Sequence, residues 1–308
     1  MPTDEPTDHE MRDARFVALA DVPMVSVGSK SGAGGSWNAI REILGQREML
    51  NLLVRRDLKA RYKDSALGFL WSLVRPLTQL LIYYVVIGQF LGASRGIDDF
   101  AIYIFTGLTA YTFFSDIVSS STASIVGNAG LIKKIYLPRE IFPLASVGSA
   151  LFNFMIQLGI LLVATLLLGK FPISPELVYF IPAFLVILIY GTALGLLLSA
   201  LNVYLRDIQY LVEVVLMILM WASPIVYSWA TVQTHLGNGP LLTIYTDNPL
   251  TLAVLGFQKA LWLGGPHVAV YPDWLMPRLL IAIVIGIVLL FSFQRVFAKL
   301  QGNFAQEL

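Results

Sequence analysis

The sequence has no cysteine, which excludes disulfides, thiolate metal sites and a catalytic thiol. It is also poor in charge, at 13% Asp, Glu, Lys and Arg, and rich in apolar residues, at 56%. A soluble domain averages about 25% charged and about 45–50% apolar residues. The charge present is unevenly spread. Residues 1–64 hold 10 of the 21 basic and 10 of the 20 acidic residues, so under 9% of the remaining 244 positions are charged. Such a stretch suits neither a water-soluble core nor a disordered chain, which needs low hydrophobicity and high charge. The formal net charge of +1 argues against nucleic acid as a partner. The three histidines, His9, His235 and His267, fall in the amino-terminal tail and in one long connection. Neither region offers the clustered acids or His–Asp pair that a membrane glycosyltransferase or acyltransferase would use for acid–base chemistry. No catalytic residue and no metal site is predicted. The chain reads as an all-α integral membrane protein.

A spanning helix needs about 20 mostly apolar residues. Six segments qualify: 67–92, 100–124, 139–169, 177–203, 208–231 and 276–297. A β-barrel would instead alternate over about ten residues per strand. Basic residues collect on alternate connections: Arg55, Arg56, Lys59, Arg61 and Lys63 before the first span, Lys133, Lys134 and Arg139 after the second, Arg206 after the fourth, and Arg295 and Lys299 at the end. The positive-inside rule then predicts both termini in the cytoplasm.

Three regions follow: a disordered cytoplasmic tail at 1–36, an amphipathic interfacial region at 37–64 and a transmembrane domain at 65–308. The tail has six acids and three bases and no apolar core, so it is not expected to be a cleavable signal peptide. Its run from Gly28 to Ser36 places glycines near Lys30. It lacks the leading strand and the upstream glycine of a phosphate-binding loop, so no nucleotide site is expected on this chain.

Wound at helical pitch, residues 46–63 bring Leu50, Leu53, Val54 and Leu58 to one side and Arg55, Arg56, Lys59 and Lys63 to the other. Such a helix lies in the membrane interface, its apolar side in the acyl boundary. Asp57 and Arg61 fall within the apolar stripe at a spacing suited to a pair. Two roles are open for Arg55, Arg56, Lys59 and Arg61: a lipid anchor, or a gate that meets an anionic lipid-linked substrate. Pro76, after Arg75, is predicted to break the first helix near its cytoplasmic end. Asp116 and Glu213 are the acids placed well inside spans; intramembrane acids are functional candidates, but burial of each with one partner explains them without a proton relay. Gly191, Gly195 and Ser199 form a small-residue face for close helix packing. Asn248–Pro249 opens a helix of about fifteen apolar residues, too short to span, which reads as a re-entrant segment before the last span.

The connection from Asn128 to Glu140 is predicted to form one or two helical turns stopped by Pro138. Leu131, Ile132, Ile135 and Tyr136 share it with Lys133, Lys134, Arg139 and Glu140, as a knob docking on a cytoplasmic partner would require. The lysines alone also serve as a topology signal. Tyr83 and Tyr84 on the first span, with Trp221 and Tyr227 on the fifth, are candidate channel aromatics, because sugar rings stack on aromatic planes. An interfacial aromatic belt is the competing account for aromatics at the span ends, such as Phe90 and Trp229.

Residues 53–76, 132–140, Tyr204-Leu-Arg-Asp207, Trp221 to Tyr227 and the ending Phe304-Ala-Gln-Glu-Leu308 occur in order over positions 40–308. Together they resemble the ABC-2 type permeases that export polysaccharides and teichoic acids in bacteria. The resemblance implies the ABC-2, or type V, exporter fold. It also implies a homodimer in the bacterial plasma membrane and two copies of a separate ABC ATPase that binds ATP and Mg, with no cofactor on this chain. The implied cargo is a glycan linked to a polyprenyl lipid; the 36-residue tail resembles actinobacterial versions, whose cargo would be a lipid-linked galactan. Export of a lipid or small hydrophobic drug is the alternative within this family. An ion-coupled secondary transporter would be expected to carry inverted repeats and midplane ligands, and no repeat is seen.

Overall fold

The computed structural model describes residues 45–62, 70–90, 92, 97–134, 137–263 and 270–308. The tail and the glycine run around Lys30 lie outside them. Among the described residues there are helices and no strands. In chain order these are α1 (Arg47–Tyr62), α2 (Leu70–Ile82), α3 (Phe100–Gly127), α4 (Ala129–Ile132), α5 (Ile141–Leu167), α6 (Phe180–Tyr204), α7 (Ile208–Trp221), α8 (Trp229–Leu236), α9 (Pro240–Thr246), α10 (Pro249–Leu261), α11 (Leu275–Leu300) and α12 (Phe304–Glu307). A 3₁₀ turn, Pro175–Tyr179, leads into α6, and another, Gln301–Asn303, leads into α12.

Among the described residues, four helical stretches are long and apolar enough to cross a membrane: α3, α5, Pro175–Tyr204 containing α6, and Leu275–Asn303 containing α11. The fifth predicted span is shorter in helical form, and of the first the described helix covers 70–90. The helix α2 runs through Pro76 instead of breaking there, and winds into a π-helix at Tyr83–Phe90. Proline removes a single backbone donor, and Leu77 to Ile82 is a good helix-forming run on its far side. The helix α7 stops at Trp221, three residues before Pro224. Its 14 residues cover about 21 Å, short of the roughly 30 Å hydrocarbon layer. Proline disfavours helical backbone in the residue before it, so the apolar run that continues to Tyr227 in sequence cannot continue as helix.

Carbonyls freed inside an apolar bundle need partners. The Pro224 carbonyl accepts from Tyr103 Oη at 3.0 Å and from Gln258 Nε2 at 2.8 Å. The Tyr227 carbonyl accepts from Tyr103 Oη at 2.8 Å. The break at Pro224 is thus held by α3 and α10.

The helix α3 is the most buried of the long helices. Its polar residues are satisfied close to home: Thr106, Thr109 and Thr122 donate to the carbonyls of Ile102, Phe105 and Val118. The helix α6 packs along it through the small-residue face. A methyl group on Gly191 would lie 2.9 Å from Ile117 Cγ2, and one on Gly195 would lie 2.7 Å from Ser121 Cβ. Asn202 Nδ2 adds a bond to the Thr122 carbonyl at 3.1 Å. Around this pair, Phe113, Phe154, Phe180, Phe184 and Phe257 form a chain of ring contacts joining α3, α5, α6 and α10, with centroids 4.5–6.3 Å apart. The predicted helix after Asn248 is present: Asn248 Oδ1 caps it by accepting from Leu250 N at 3.0 Å. From Leu250 to Leu261 it is almost wholly buried against α6, α3 and α11.

The two ends of this bundle differ in chemistry. At one end, ion pairs join Lys170 to Asp99, Arg278 to Asp247 and, at 3.7 Å, Lys259 to Glu176; Trp262 Nε1 donates to the Asp98 carbonyl at 2.9 Å. Burial pushes the phenols of Tyr245 and Tyr271 well above their ordinary range, so both remain neutral. The opposite end gathers α1, α4, the ends of α3, α6 and α11, the start of α5 and α12 around Leu53, Ile125, Ile132, Ile141, Phe142, Phe297 and Phe304. We call this the basal end.

Close packing at Gly195 can be tested directly. Gly195→Leu should destabilise the protein by about 1–3 kcal/mol through overpacking. Gly159→Leu, with open space around its would-be side chain, should not. Thermal unfolding in detergent, read as the loss of monodisperse protein, distinguishes the two variants.

Candidate functional site: the basal end and the α2–α7 face

The amphipathic helix expected over 46–63 forms as α1, but its apolar side is committed to protein. Leu53 is buried and Val54 half-buried against α5. A methyl group on Gly148 would come within 2.8 Å of Val54 Cγ2, so glycine at that position is what admits the contact. The apolar stripe therefore faces α5 where the acyl boundary was expected. Leu52 alone of its leucines is strongly exposed.

Arg55, Arg56 and Lys59 are exposed on the other side. Arg61 lies in the last turn of α1, and its side chain is outside the described residues. Asp57 pairs with its neighbour Arg56, whose Nη2 is 2.8 Å from Asp57 Oδ1. The same guanidinium nitrogen donates to Asn128 Oδ1 at 2.7 Å. Asn128 in turn donates from Nδ2 to the Ser124 carbonyl at 2.8 Å, closing the end of α3. One asparagine thus ends the long helix, begins α4 and receives α1.

The turn that follows is short and polarised. Ile132 is buried in the basal cluster and Leu131 is half-buried against it, while Lys133 and Lys134 point outward. Ile135 and Tyr136 lie outside the described residues. Beyond Pro138 the chain turns inward: Arg139 stands over the Phe304 ring, its Cζ 5.6 Å from the centroid. Glu140 is buried and accepts from Gln301 Nε2 at 3.3 Å.

The four candidate channel aromatics divide in two. Tyr83 is half-buried with its hydroxyl 3.8 Å from Met220 Sδ. Tyr227 is half-buried; its hydroxyl donates to the Trp221 carbonyl at 2.6 Å and accepts from Tyr245 Oη at 3.3 Å. It closes the end of α7. Tyr84 and Trp221 are open to the outside, Trp221 at 53%. Beside them other large apolar side chains are exposed, Leu81 and Ile82 on α2 and Val214, Met217 and Ile218 on α7. Asp116 accepts from Asn153 Nδ2 at 3.2 Å, a partner for that acid as its burial required. Glu213 instead lies exposed on α7, where burial with a partner was expected; Val212 and Leu216 are the buried residues of that helix, with Ile208, Leu219 and Met220 half-buried against the same core. Among the described residues no group of three or more His, Asp or Glu could hold a metal ion.

Sequence reasoning missed Asn128 as a junction and Gly148 as a seat for α1. Asparagine followed by Ala-Gly after a long helix is a recognisable stop signal. The Arg56 contact, 72 positions away, has no local signature.

Residues 48–262 match the family described as ABC-2 type transporter. The chain belongs to that family. Similar proteins include the O-antigen export system permease protein RfbA of Myxococcus xanthus, 28% identical over 272 residues, covering 87% of this chain and 98% of that protein. A Klebsiella pneumoniae protein of the same name is 28% identical over 262 residues, covering 85% and 95%. The polysialic acid transport protein KpsM of Escherichia coli is 21% identical over 248 residues, covering 79% and 93%. This ABC-2 permease carries its basic turn and its amphipathic helix in one bonded unit, with the exposed aromatic face on separate helices.

The bond between α1 and the turn is open to test. Asn128→Ala should remove the acceptor for Arg56 at a cost of about 1 kcal/mol. Amide exchange in α1 should then rise about fivefold, and the last turn of α3, which loses its bond from Asn128 to Ser124, should loosen with it, while α5 and α6 stay unchanged. Equal α1 protection in both proteins would mean that the Val54–Gly148 contact holds the helix without help.

Proposed function

We propose that this ABC-2 permease is the transmembrane subunit of an ATP-driven exporter of a polyprenyl-linked polysaccharide. It works as a homodimer with two copies of a separate ABC ATPase, which holds ATP and Mg. The basal end faces the cytoplasm of the bacterial plasma membrane, with both termini on that side, and six passes cross the bilayer. The helix at Pro249–Leu261 enters without crossing.

The observation that carries this reading is the bonded unit at the basal end. A permease that lacks its own nucleotide site must receive motion by contact. The α4 turn sits between two long helices, α3 and α5, and is tied to α1 by Arg56. A push on Lys133 and Lys134 is therefore shared by three helices, whereas a loose loop would absorb it. The basic residues collected at this end fit the positive-inside rule. The relatives named for O-antigen and polysialic acid transport support a glycan cargo, and a lipid-linked galactan is the particular cargo favoured by the tail. Trp221 and Tyr84 offer exposed rings that a sliding sugar chain can stack on.

The first test changes shape without charge. Ile135→Ala with Tyr136→Ala should leave membrane insertion intact, weaken copurification of the ATPase and abolish most glycan export. Full export from a normally assembled complex would reduce the turn to a topology signal. In the same assay, Trp221→Ala should impair export while ATP hydrolysis by the complex continues; normal export would remove that ring from the cargo path.

A further inference from the structure

The segment 301–308 is largely exposed but anchored at one point, the buried Phe304. Phe304 is 0% exposed. Its ring meets Phe297 at 5.6 Å and Tyr204 at 6.1 Å, both edge-on. Tyr204 Oη donates to the Leu300 carbonyl at 2.8 Å, which fixes the start of the segment to the end of α6. Two residues at the far side of the coupling turn then reach into it: Arg139 over the Phe304 ring, and Glu140 at Gln301 Nε2.

These contacts lie on the path that a push must take. Force applied at Lys133 and Lys134 travels forward through Pro138 to Arg139 and Glu140 before it enters α5. At that point the chain is braced against Phe304, and through Phe304 against α6 and α11. Without the brace, the start of α5 could yield to the push and leave α6 and α11 behind.

We infer that Phe304 is a positioning residue for ATP-driven motion: the segment 301–308 is a strut that spreads movement of the coupling turn from α5 to α6 and α11. It touches neither cargo nor nucleotide and acts through Arg139. This inference rests on the proposed coupling of the turn to an ATPase. A cation over an aromatic face is directional, and replacing either member breaks the link from a different side.

The absence of native cysteine allows a clean distance measurement. In the full complex with its copurifying ATPase in nanodiscs, spin labels on Gly130→Cys, an exposed position of α4 with open space around it, and on Lys299→Cys report the distance between the turn and the end of α11. With otherwise native residues, MgATP with vanadate should shift that distance. Phe304→Ala and Phe304→Leu, which both remove the ring beneath Arg139, should each retain ATPase binding and most of the hydrolysis rate, while uncoupling the two labels, so that the turn moves and α11 does not. Phe304→Tyr, which keeps the ring, should restore the coordinated shift. If Phe304→Ala fails to insert, Phe304→Leu decides, since it keeps apolar bulk in the basal cluster. A native-like shift in Phe304→Leu, with normal hydrolysis, would overturn the strut. Failure of the otherwise native complex to bind an ATPase or to respond to MgATP would instead overturn the coupling reading beneath it.

Discussion

Gly191 and Gly195 bring α6 against Ile117 and Ser121 of α3 with no side chain between them, and the positions of both ends of the bundle follow from that contact. In a membrane, helices gain little from the hydrophobic effect on meeting one another, so close van der Waals approach and a few bonds decide the packing. Asn202 supplies one such bond to α3. With α3 and α6 fixed, α10 and α11 have one side of α6 to occupy, and α5 takes the other side of α3. The Phe113–Phe154–Phe184 stack fills the space that results.

On that frame the functional parts fall into two kinds. The basal end is bonded and buried: α1 on α5 through Gly148, Arg56 on Asn128, Arg139 on Phe304. The face of α2 and α7 is open, with Trp221 and Glu213 turned away from the core. An exposed carboxylate on an apolar helix is costly in lipid, which favours a wet surface on that side of α7. Under the proposed function the basal end is the input side, which needs rigidity, and the open face is the path of a polymer, which needs tolerance.

Much of the fold was legible because the signals are local. Twenty-residue apolar runs, the small-residue spacing at 191–199 and the Asn248–Pro249 cap each declare themselves within one helix. The amphipathic period of residues 46–63 also gave the helix correctly. What it buries could not be read from it, because protein and acyl chain are equally apolar; only Gly148, almost a hundred positions away, distinguishes them. The run of α2 through Pro76 and the end of α7 at Trp221 were missed for a similar reason. Hydropathy reports what a residue dissolves in, and Pro76 and Pro224 act on backbone geometry, one tolerated and the other ending its helix. Of the site, the basic turn was visible and its fastenings were not, since each joins residues far apart in the chain.

The contrast between the two ends has a consequence for how the protein meets its surroundings. Asp99–Lys170, Glu176–Lys259 and Asp247–Arg278 are charge pairs at partly exposed positions, and dissolved salt weakens such pairs over distances of about 8–10 Å. The basal cluster is aromatic and aliphatic, indifferent to salt, and burial of that kind loses strength on cooling. Ionic strength therefore acts most on the charge-paired end, and cold most on the basal cluster, where the exposed Arg56–Asp57 pair is the part that also answers to salt. The medium alone can relax the two ends to different degrees, without altering a residue.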